Sequence, residues 1–164
     1  FTPGIFEMDL SRFCSNTSKV NATIANQLAL YLTMYSPLQM AADFPEHYDR
    51  FADAFQFIKN VAVDWQKSKY LLAEPGDYIV VARKAKKSGQ WFVGGVTDEN
   101  SRTLDVPMSF LDPGKTYVAK IYADAPDADY QKNPQAYTIT EQEVISESVI
   151  PVFMARGGGR HRTH

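Results

Sequence analysis

The chain has 164 residues, a formal net charge of −2, 45% hydrophobic residues and 22% charged residues. A chain of this length forms one domain or two small ones, and its apolar content is enough to build a core. The slightly acidic balance provides no basic surface, so the sequence excludes nucleic acid as an expected partner. No run reaches the roughly 18 apolar residues of a membrane span, so no membrane insertion is expected.

The first 42 residues combine a short strand, a loop and an unusually apolar helix. Residues 1–8 predict a strand around Ile5 and Phe6, followed by a polar loop. A helix is expected over 21–36, inside the nearly all-apolar stretch 21–42. Because an ordinary surface helix carries a polar face, this one must be buried on most sides, between layers or against something larger than the chain.

Two further helices are predicted before residue 65. Ser36 and Gln39 form a capping-box pattern with Pro37 at the first helical position, which predicts a short helix that stops at Phe44-Pro45. Aromatic residues at helical spacing predict a third, amphipathic helix over 45–58.

Short β-rich runs separated by turn residues fill the remainder of the chain. Six or seven strands at this spacing predict an antiparallel sandwich or barrel, with the boundary to the helical part at 64–68. The Gly94-Gly95 pair, inside one strand, indicates a bulge or close packing. The predicted strand-bearing runs are 70–73, 78–85, 90–97, 102–111, 116–124, 137–144 and 148–155.

Paired carboxylates are one source of possible chemistry. Glu7 and Asp9 lie two residues apart and share a face if the strand continues, near the short end of the carboxyl spacing that glycosidases use. Solvent-facing carboxylates at a strand end are the favoured alternative, since pairing alone does not mark a site.

Metal ligands are the second candidate class. Asp124, Asp127 and Asp129 crowd one loop, but it lacks the glycine of an EF-hand, and Gln135 replaces the closing glutamate. Solvated turn residues are therefore favoured over a Ca²⁺ cage. His161 and His164 stand in a tail that reads as vector-derived or disordered, with no cysteine pair to complete a zinc site.

Nucleophilic and histidine chemistry receive little support. Cys14 is the only cysteine, which excludes an internal disulfide and leaves the compartment open. Its segment shows no cationic partner, so an inert thiol is favoured over a nucleophile. His47, without a His or Cys neighbour, is expected to be structural.

Aromatic side chains on the predicted strands are the last candidates. They could stack on sugars as a carbohydrate-binding face, although core packing is the commoner fate of strand aromatics. The residues concerned are Tyr78, Trp91, Tyr117, Tyr122 and Tyr137.

Several long stretches resemble glycoside hydrolase family 97, whose members are α-glucosidases and α-galactosidases typical of Bacteroidetes. The similarity lies in long continuous stretches of sequence rather than in one short motif, and it covers nearly the whole chain up to the tail. It is carried by TPGIFE at 2–7, QLALYLTMYSPLQMAADFPEHY at 27–48, FQFIKNVAVDW at 55–65, the PGDYIVV…MSFL run at 75–111, IYADAPDADYQKNPQAYTI at 121–139 and MARGGG at 154–159.

The resemblance implies an α+β chain taken from the end of a larger enzyme. Residues 1–67 would be the terminal strand and helices of a catalytic (β/α)₈ barrel, with FTPGIF as the last barrel strand. Residues 68–157 would form a C-terminal antiparallel β-sandwich, and 158–164 the tail. The family's catalytic and calcium-binding glutamates lie upstream of TPGIF, so the resemblance assigns no catalytic, metal or substrate-binding residue here, and Glu7 and Asp9 gain no role from position alone.

The same resemblance implies function, cofactor and location. The whole enzyme would cleave terminal α-linked glucose or galactose from oligosaccharides, by inversion or retention according to subfamily, with calcium and in the periplasm or outside the cell. This segment would close the barrel, supply an accessory or oligomerisation domain through its exposed apolar helix surface, and be inactive alone. Two alternatives stay open: a stand-alone carbohydrate-binding module using Trp91 and the strand tyrosines, and a purely structural oligomerisation domain.

Overall fold

The structure is a computed structural model that describes residues 2–11 and 18–157. Short helices come first and antiparallel strands follow, in the predicted order. The helices are α1 (Ile24–Thr33), α2 (Pro45–Arg50) and α3 (Ala52–Asn60), and the strands are β1 (Trp65–Glu74), β2 (Tyr78–Ala85), β3 (Trp91–Thr97), β4 (Arg102–Pro107), β5 (Tyr117–Asp124), β6 (Tyr137–Val144) and β7 (Val149–Met154). None of these helices has the length and hydropathy to cross a bilayer.

The seven strands form three antiparallel groups with the order β1-β2-β3, β4-β7 and β5-β6. All seven predicted strands are confirmed, although β1 begins at Trp65, five residues before the predicted start at Tyr70. Alternate residues of β2 face opposite sides because side chains alternate along a strand. Val80 and Ala82 enter the apolar core between the strand groups, which also contains Val106, Met108, Phe110, Leu111, Val144 and Ile150.

Helix α1 packs on the outer face of the β1-β2-β3 sheet. A Cβ atom on Gly94 would lie 2.7 Å from Leu32 Cβ and 3.1 Å from the Ala29 carbonyl oxygen, closer than real side chains allow. Gly94 therefore permits the helix axis to approach β3, which confirms the close-packing reading of the Gly94-Gly95 pair. The apolar helix is covered by the β-rich part of the same chain.

Both ends of α1 are fixed by side chains. The Thr23 hydroxyl accepts the Asn26 N–H at 3.1 Å, so the helix begins at Ile24, three residues after the predicted start. At the other end, the Arg83 side chain is buried and its Nε donates to the Leu32 carbonyl at 2.7 Å. This long-range cap satisfies a carbonyl that the helix cannot bond itself.

The predicted capping-box helix is wrong, because residues 37–44 contain no helix. Ser36 Oγ donates to the Leu38 carbonyl at 2.8 Å instead of capping a helix. The Met40 carbonyl accepts from the Tyr31 hydroxyl, and Ala42 N–H donates to the Pro3 carbonyl at 3.1 Å. These long-range hydrogen bonds hold the segment in an irregular, bent conformation and outweigh the local helix signal.

The predicted helix over 45–58 is two helices, which corrects the single-helix prediction. Phe51 leaves helical geometry, with φ −130° and ψ 46°, between α2 and α3. Its ring lies edge-on to Phe6 at 6.0 Å and to Tyr137 at 6.2 Å. Aromatic packing between the N-terminal segment and β6 therefore coincides with the break.

The strand predicted within residues 1–8 is also wrong for the part that the structure describes. Residues 2–8 pair with no strand, and the nearby pairing is one isolated bridge between Asp9 and Lys19. Phe6 and Met8 are nevertheless buried in a second apolar cluster with Ile24, Leu28, Tyr48 and Ala54. The segment is thus an ordered, irregular chain packed under the helices.

A cavity of about 1020 Å³ separates β3 from β5. Helix α1 covers one side of it through Ala25 and Ala29, and strands β4 and β7 line the other through Val106 and Val152. The lining is mostly apolar.

Candidate functional site

Side chains from distant parts of the chain bind the backbone of residues 2–8. Gln27 is buried, and its Oε1 accepts the N–H groups of Gly4 at 3.0 Å and Ile5 at 3.1 Å. Asp43 Oδ2 accepts the next two N–H groups, of Phe6 and Glu7, each at 2.7 Å. Four consecutive donors are therefore satisfied by two side chains rather than by a neighbouring strand.

Carbonyl groups of the same segment receive hydroxyl and amide donors. The Tyr48 hydroxyl donates to the Gly4 carbonyl at 2.7 Å, and the single Tyr31 hydroxyl proton is shared between the carbonyls of Pro3, at 3.2 Å, and Met40, at 3.0 Å. Gln135, in the loop before β6, donates to the Phe6 carbonyl at 2.8 Å. Gly4 has φ +91°, and a Cβ there would lie 2.6 Å from the Tyr31 hydroxyl, so only glycine fits.

A charged cluster lies beside this segment. Glu7 Oε2 accepts from Arg50 at 3.0 Å and lies 3.9 Å from His47 Nε2. The other ring nitrogen of His47 contacts Asp43 Oδ1. His47 therefore bridges two carboxylates within the helical layer, which is a structural arrangement of the kind predicted for it.

Asp43 is the centre of this cluster. Burial opposes its charged form, but hydrogen bonds from Glu7, His47, Phe44 and Phe6 outweigh that effect and hold its pKa below the usual aspartate range. A carboxylate that accepts several backbone N–H groups stays ionised and orients the chain around it. Asp43 is thus an anchor for residues 2–8.

The candidate pair of Glu7 and Asp9 does not behave as two equivalent acids. Asp9 is exposed, and its N–H donates to Glu7 Oε1 at 3.3 Å, while its own carboxylate accepts from Ser11. Glu7 is half-buried in an ion pair with Arg50. This geometry supplies turn and ion-pair structure.

The three loop aspartates serve separate local roles. Asp127 accepts from the Asn133 amide at 3.0 Å, and Asp129 accepts the N–H groups of Gln131 and Lys132. These backbone bonds, first that of Gln131, lower the Asp129 pKa. The structure thus uses Asp127 and Asp129 as turn formers.

Asp124 differs from the other two because it is buried. Its Oδ2 accepts the Ala155 N–H at 2.8 Å, whereas Oδ1 has no hydrogen-bond partner among the described residues. Burial raises its pKa, partly offset by the nearby Thr23 hydroxyl and by Ala155. Among the residues that the structure describes, no three or more His, Cys, Asp or Glu side chains group as metal ligands would.

The strand aromatics divide between two interiors. Trp91 lies 4.9 Å from Phe110 and, with Tyr117, packs against the core between the strand groups. Tyr122 and Tyr137 pack instead against the helical layer, where Tyr137 donates to Asp53. The fifth, Tyr78, lies under the Arg102 guanidinium at 5.3 Å.

These five aromatic rings therefore do not form one open face. All five are only partly exposed, and packing against apolar neighbours accounts for four of them. A flat sugar-stacking platform needs adjacent rings open to solvent. The arrangement gives no support to the carbohydrate-binding alternative. Cys14, His161 and His164 lie outside the described residues.

Exposed apolar side chains concentrate after α1 rather than on it. Within segment 34–44, Leu38 is 69% exposed and Phe44 56%, with Met34, Tyr35 and Met40 also more than half exposed. We call this segment the apolar loop. On α1 itself Leu28, Tyr31 and Leu32 are buried, so the exposed apolar surface expected on the helix lies on the adjacent loop instead.

The sequence did not reveal Gln27, Asp43 and Gln135 as anchors of the N-terminal segment. Each is an ordinary polar residue in a helix or loop, and its partners lie 22 to 129 positions away. One sequence feature could have pointed to Gln27, because it is a polar residue inside an otherwise apolar stretch. As a whole, the arrangement orders residues 2–8.

The family model described as Glycosyl-hydrolase 97 C-terminal, oligomerisation matches residues 64–162. Among curated proteins, the retaining alpha-galactosidase of Bacteroides thetaiotaomicron is 33% identical over 89% of this chain. The probable retaining alpha-galactosidase of Streptomyces bingchenggensis is 31% identical over 77% of it. The chain spans only 21% and 18% of the lengths of these two relatives.

Solved structures agree in fold and in coverage. A glycoside hydrolase family 97 enzyme from Pseudoalteromonas sp. strain K8, in complexes with panose and with acarbose, superimposes with a TM-score of 0.91. It is 44% identical to this chain, and the match covers 96% of this chain and 25% of that enzyme. Both the helical layer and the strands are therefore included in the match.

Proposed function

Because the chain belongs to the Glycosyl-hydrolase 97 C-terminal, oligomerisation family, we propose that it is the C-terminal part of a longer α-glycosidase. That enzyme would release terminal α-linked galactose or glucose from oligosaccharides. The observation that carries this proposal is the match of nearly the whole chain, helices included, to a quarter of a family 97 enzyme. One curated relative is named a retaining alpha-galactosidase and the other a probable retaining alpha-galactosidase, which favours galactose and retention.

The helical part would join the β-sandwich to a catalytic barrel. Residues 2–8 are held through their backbone N–H groups by Gln27 and Asp43, as expected of a segment that continues from a barrel. The apolar loop presents its exposed Leu38 and Phe44 on the same helical layer. Burial of apolar surface at about 25 cal/mol per Å² would favour docking of this loop on the catalytic part.

The β-sandwich would serve assembly rather than chemistry. The family description includes oligomerisation, which supports this role. In the proposed enzyme the catalytic carboxylates and the calcium ligands would lie in the preceding part of the polypeptide. A periplasmic or extracellular location, where such oligosaccharides are met, belongs to the same proposal.

Activity assays on two proteins test this proposal. The longer polypeptide that carries this chain should hydrolyse nitrophenyl α-galactoside or nitrophenyl α-glucoside, and ¹H NMR of the first-formed sugar should report retention. The 164-residue chain alone should release no nitrophenol above a heat-denatured control. Turnover by the isolated chain, or a longer polypeptide inactive on both substrates with calcium present, would overturn the proposal.

A further inference from the structure

A second, shallower cavity lies where α1 ends over the β1-β2-β3 sheet. Its volume is about 350 Å³, and it is lined by Thr33, Met34, Tyr35, Tyr70 and Arg83. Arg83 is 7% exposed, whereas Tyr35 is 54% exposed and Tyr70 69%. The cavity therefore combines a buried cation with two exposed aromatic rings.

The strand pairing places these groups on one face of the sheet. Arg83 bonds to Leu32 of α1, so its side chain lies on the face that α1 covers. Ser68 is directly opposite Arg83 on β1, and Tyr70 follows two residues later. Because side chains alternate along a strand, both lie on the same face as Arg83. Helix α1 ends at Thr33, so the cavity is a part of this face that the helix leaves uncovered.

Arg83 forms no ion pair with a carboxylate in the part of the chain that the structure describes. Its Nε donates to the Leu32 carbonyl and its Nη1 to Ser68 Oγ, each at 2.7 Å. The C-terminal end of α1 carries a partial negative charge of roughly half an elementary charge, which offsets part of the positive charge. Arginine is almost never buried without a paired anion. The site therefore favours an anionic group supplied by a ligand.

The remaining donors of Arg83 have the geometry to bind a carboxylate. A guanidinium carries its N–H donors in a planar fork, and Leu32 and Ser68 use only two of them. Nη2 has no partner among the described residues, and it is not one of the unbonded polar atoms that are sealed from solvent. The end formed by Nη1 and Nη2 can therefore donate two parallel hydrogen bonds to one carboxylate, which is a strong and specific arrangement.

The aromatic rings indicate that this carboxylate belongs to a ring-sized group. Arg83 Cζ lies 5.5 Å from the centroid of the Tyr35 ring, within cation–π range, and Tyr70 lines the same cavity. A tyrosine offers an apolar ring face together with a polar hydroxyl, which suits a ligand that has both apolar and hydroxylated surfaces. The volume is at the lower end of the roughly 300–1,000 Å³ of ligand sites, which suits a monosaccharide-sized group.

This cavity is separate from the features already assigned a role. Tyr35 and Tyr70 are not among the five strand aromatics that pack inward, and both rings are more than half exposed. Leu38 and Phe44, which would dock on the catalytic part, do not line the cavity. A ligand here therefore does not need the residues assigned to docking.

We propose that the cavity at the end of α1 binds a hexuronate, a six-carbon sugar acid, as one unit of an oligosaccharide. Arg83 binds its carboxylate through two hydrogen bonds, and the rings of Tyr35 and Tyr70 contact the sugar. The choice of a sugar as the carrier of the carboxylate rests on the proposed function, because that enzyme would act on oligosaccharides. The anion site itself rests on the contacts of Arg83.

NMR titration of the 164-residue chain tests the proposal. The ligand is sodium D-galacturonate, and the readouts are the ¹H–¹⁵N resonances of Arg83 Nε and of the Tyr70 backbone amide. D-galactose and the methyl ester of galacturonate keep the ring without the charge, whereas sodium cyclohexanecarboxylate keeps a charged ring without hydroxyls. We expect a saturable shift with galacturonate and at least about tenfold weaker binding of the three controls, since each lacks the carboxylate or the hydroxyls.

Three variants locate the site. Tyr70→Ala removes an exposed ring and should weaken binding about fivefold without changing thermal unfolding. Lys67→Ala is the matched control, because it removes a cation from the opposite face of β1 and should leave the affinity within about twofold. Arg83→Met should abolish binding. Because it also removes the bond to Leu32, circular dichroism must show that it folds, and otherwise Tyr70→Ala decides.

Several results would overturn the proposal. Equal affinity for galacturonate and its methyl ester would show that Arg83 does not bind a carboxylate, and equal affinity for cyclohexanecarboxylate would show that the site does not recognise a sugar. An absent shift, or unchanged binding in Tyr70→Ala, would show that the cavity is not the site. Binding is measured on the 164-residue chain and hydrolysis on the longer polypeptide, so either proposal can fail while the other stands.

Discussion

Replacing Gly94 by alanine tests how α1 is held on the sheet. The new Cβ would lie 2.7 Å from Leu32 Cβ and 3.1 Å from the Ala29 carbonyl oxygen. Carbon atoms pack best at about 3.5–4.0 Å, so α1 must retreat by roughly 1 Å. Both obstructing atoms belong to or adjoin the helix backbone and cannot rotate away. Overpacking of this kind costs about 1–3 kcal/mol of unfolding free energy.

Gly95→Ala provides a matched control on the opposite face of the same strand. Its added Cβ would meet Met154 Sδ and Val80 Cγ2 at 3.3 Å, and the methionine end can move. The gain from a stiffer unfolded chain, about 0.4–1 kcal/mol, applies to both variants and cancels in the comparison.

Urea unfolding followed by tryptophan fluorescence measures the difference. With a slope of about 2 kcal/mol per molar urea, Gly94→Ala should lower the midpoint by roughly 0.5–1.5 M relative to Gly95→Ala. Equal midpoints for the two variants would refute the claim that Gly94 is required for the approach of α1.

Three further predictions concern the side-chain anchors. Since the Asp43 pKa is lowered on folding, the ionised carboxylate stabilises the fold fully above the unfolded pKa of about 3.9, and this stabilisation is lost as pH falls through the folded pKa. Asp43→Asn should therefore flatten the fall of the urea midpoint at acid pH. An unchanged fall would count against Asp43 as the group that holds residues 2–8. Gln27→Leu leaves two N–H groups without an acceptor, at about 1–3 kcal/mol each, and should speed hydrogen exchange at Gly4; unaltered exchange there would be inconsistent with this role. Arg83→Met removes the bond to the Leu32 carbonyl and should cost about 1–3 kcal/mol in thermal unfolding, more than Ser68→Ala, which removes only the second partner of the guanidinium.

The strands could be predicted from the sequence because their signals are local. Alternating apolar residues and Pro-Gly or Ser-Gly turns are each read within about ten positions, and all seven strands formed. The error at the start of β1 has a physical origin as well. Residues 65–69 lie on an edge and are largely exposed, so they lack the apolar alternation of a half-buried strand.

Predictions for the helical part were wrong wherever contacts with residues distant in sequence determine the backbone conformation. The Ser36-Pro37 pattern is typical of a helix start, but hydrogen bonds from Tyr31 to Met40 and from Ala42 to Pro3 hold this segment in an irregular conformation. Likewise, residues 2–8 have a strand-like composition, but their N–H groups donate to the side chains of Gln27 and Asp43 instead of to a neighbouring strand. No local pattern predicts which side chain will reach a backbone 20 or more positions away.

In the candidate site, too, local roles could be predicted from the sequence and long-range contacts could not. The turn roles of Asp127 and Asp129 follow from their residue type, as expected of aspartate in loops. The partners of Glu7, namely Arg50 and His47, depended on the packing of α2 against the N-terminal segment. The family could be identified from the resemblance to glycoside hydrolase family 97, which lies in long stretches of sequence rather than in a short motif.

The most direct test of this account compares the apolar loop in two contexts by hydrogen–deuterium exchange. In the isolated chain Leu38 and Phe44 are exposed, and peptides covering 34–44 should exchange rapidly. In the longer polypeptide that carries this chain, docking on the catalytic part should slow exchange across 34–44 by at least about tenfold, while β2 remains unchanged. Equal exchange of the loop in both proteins would contradict its assignment as the surface that joins this chain to an α-glycosidase.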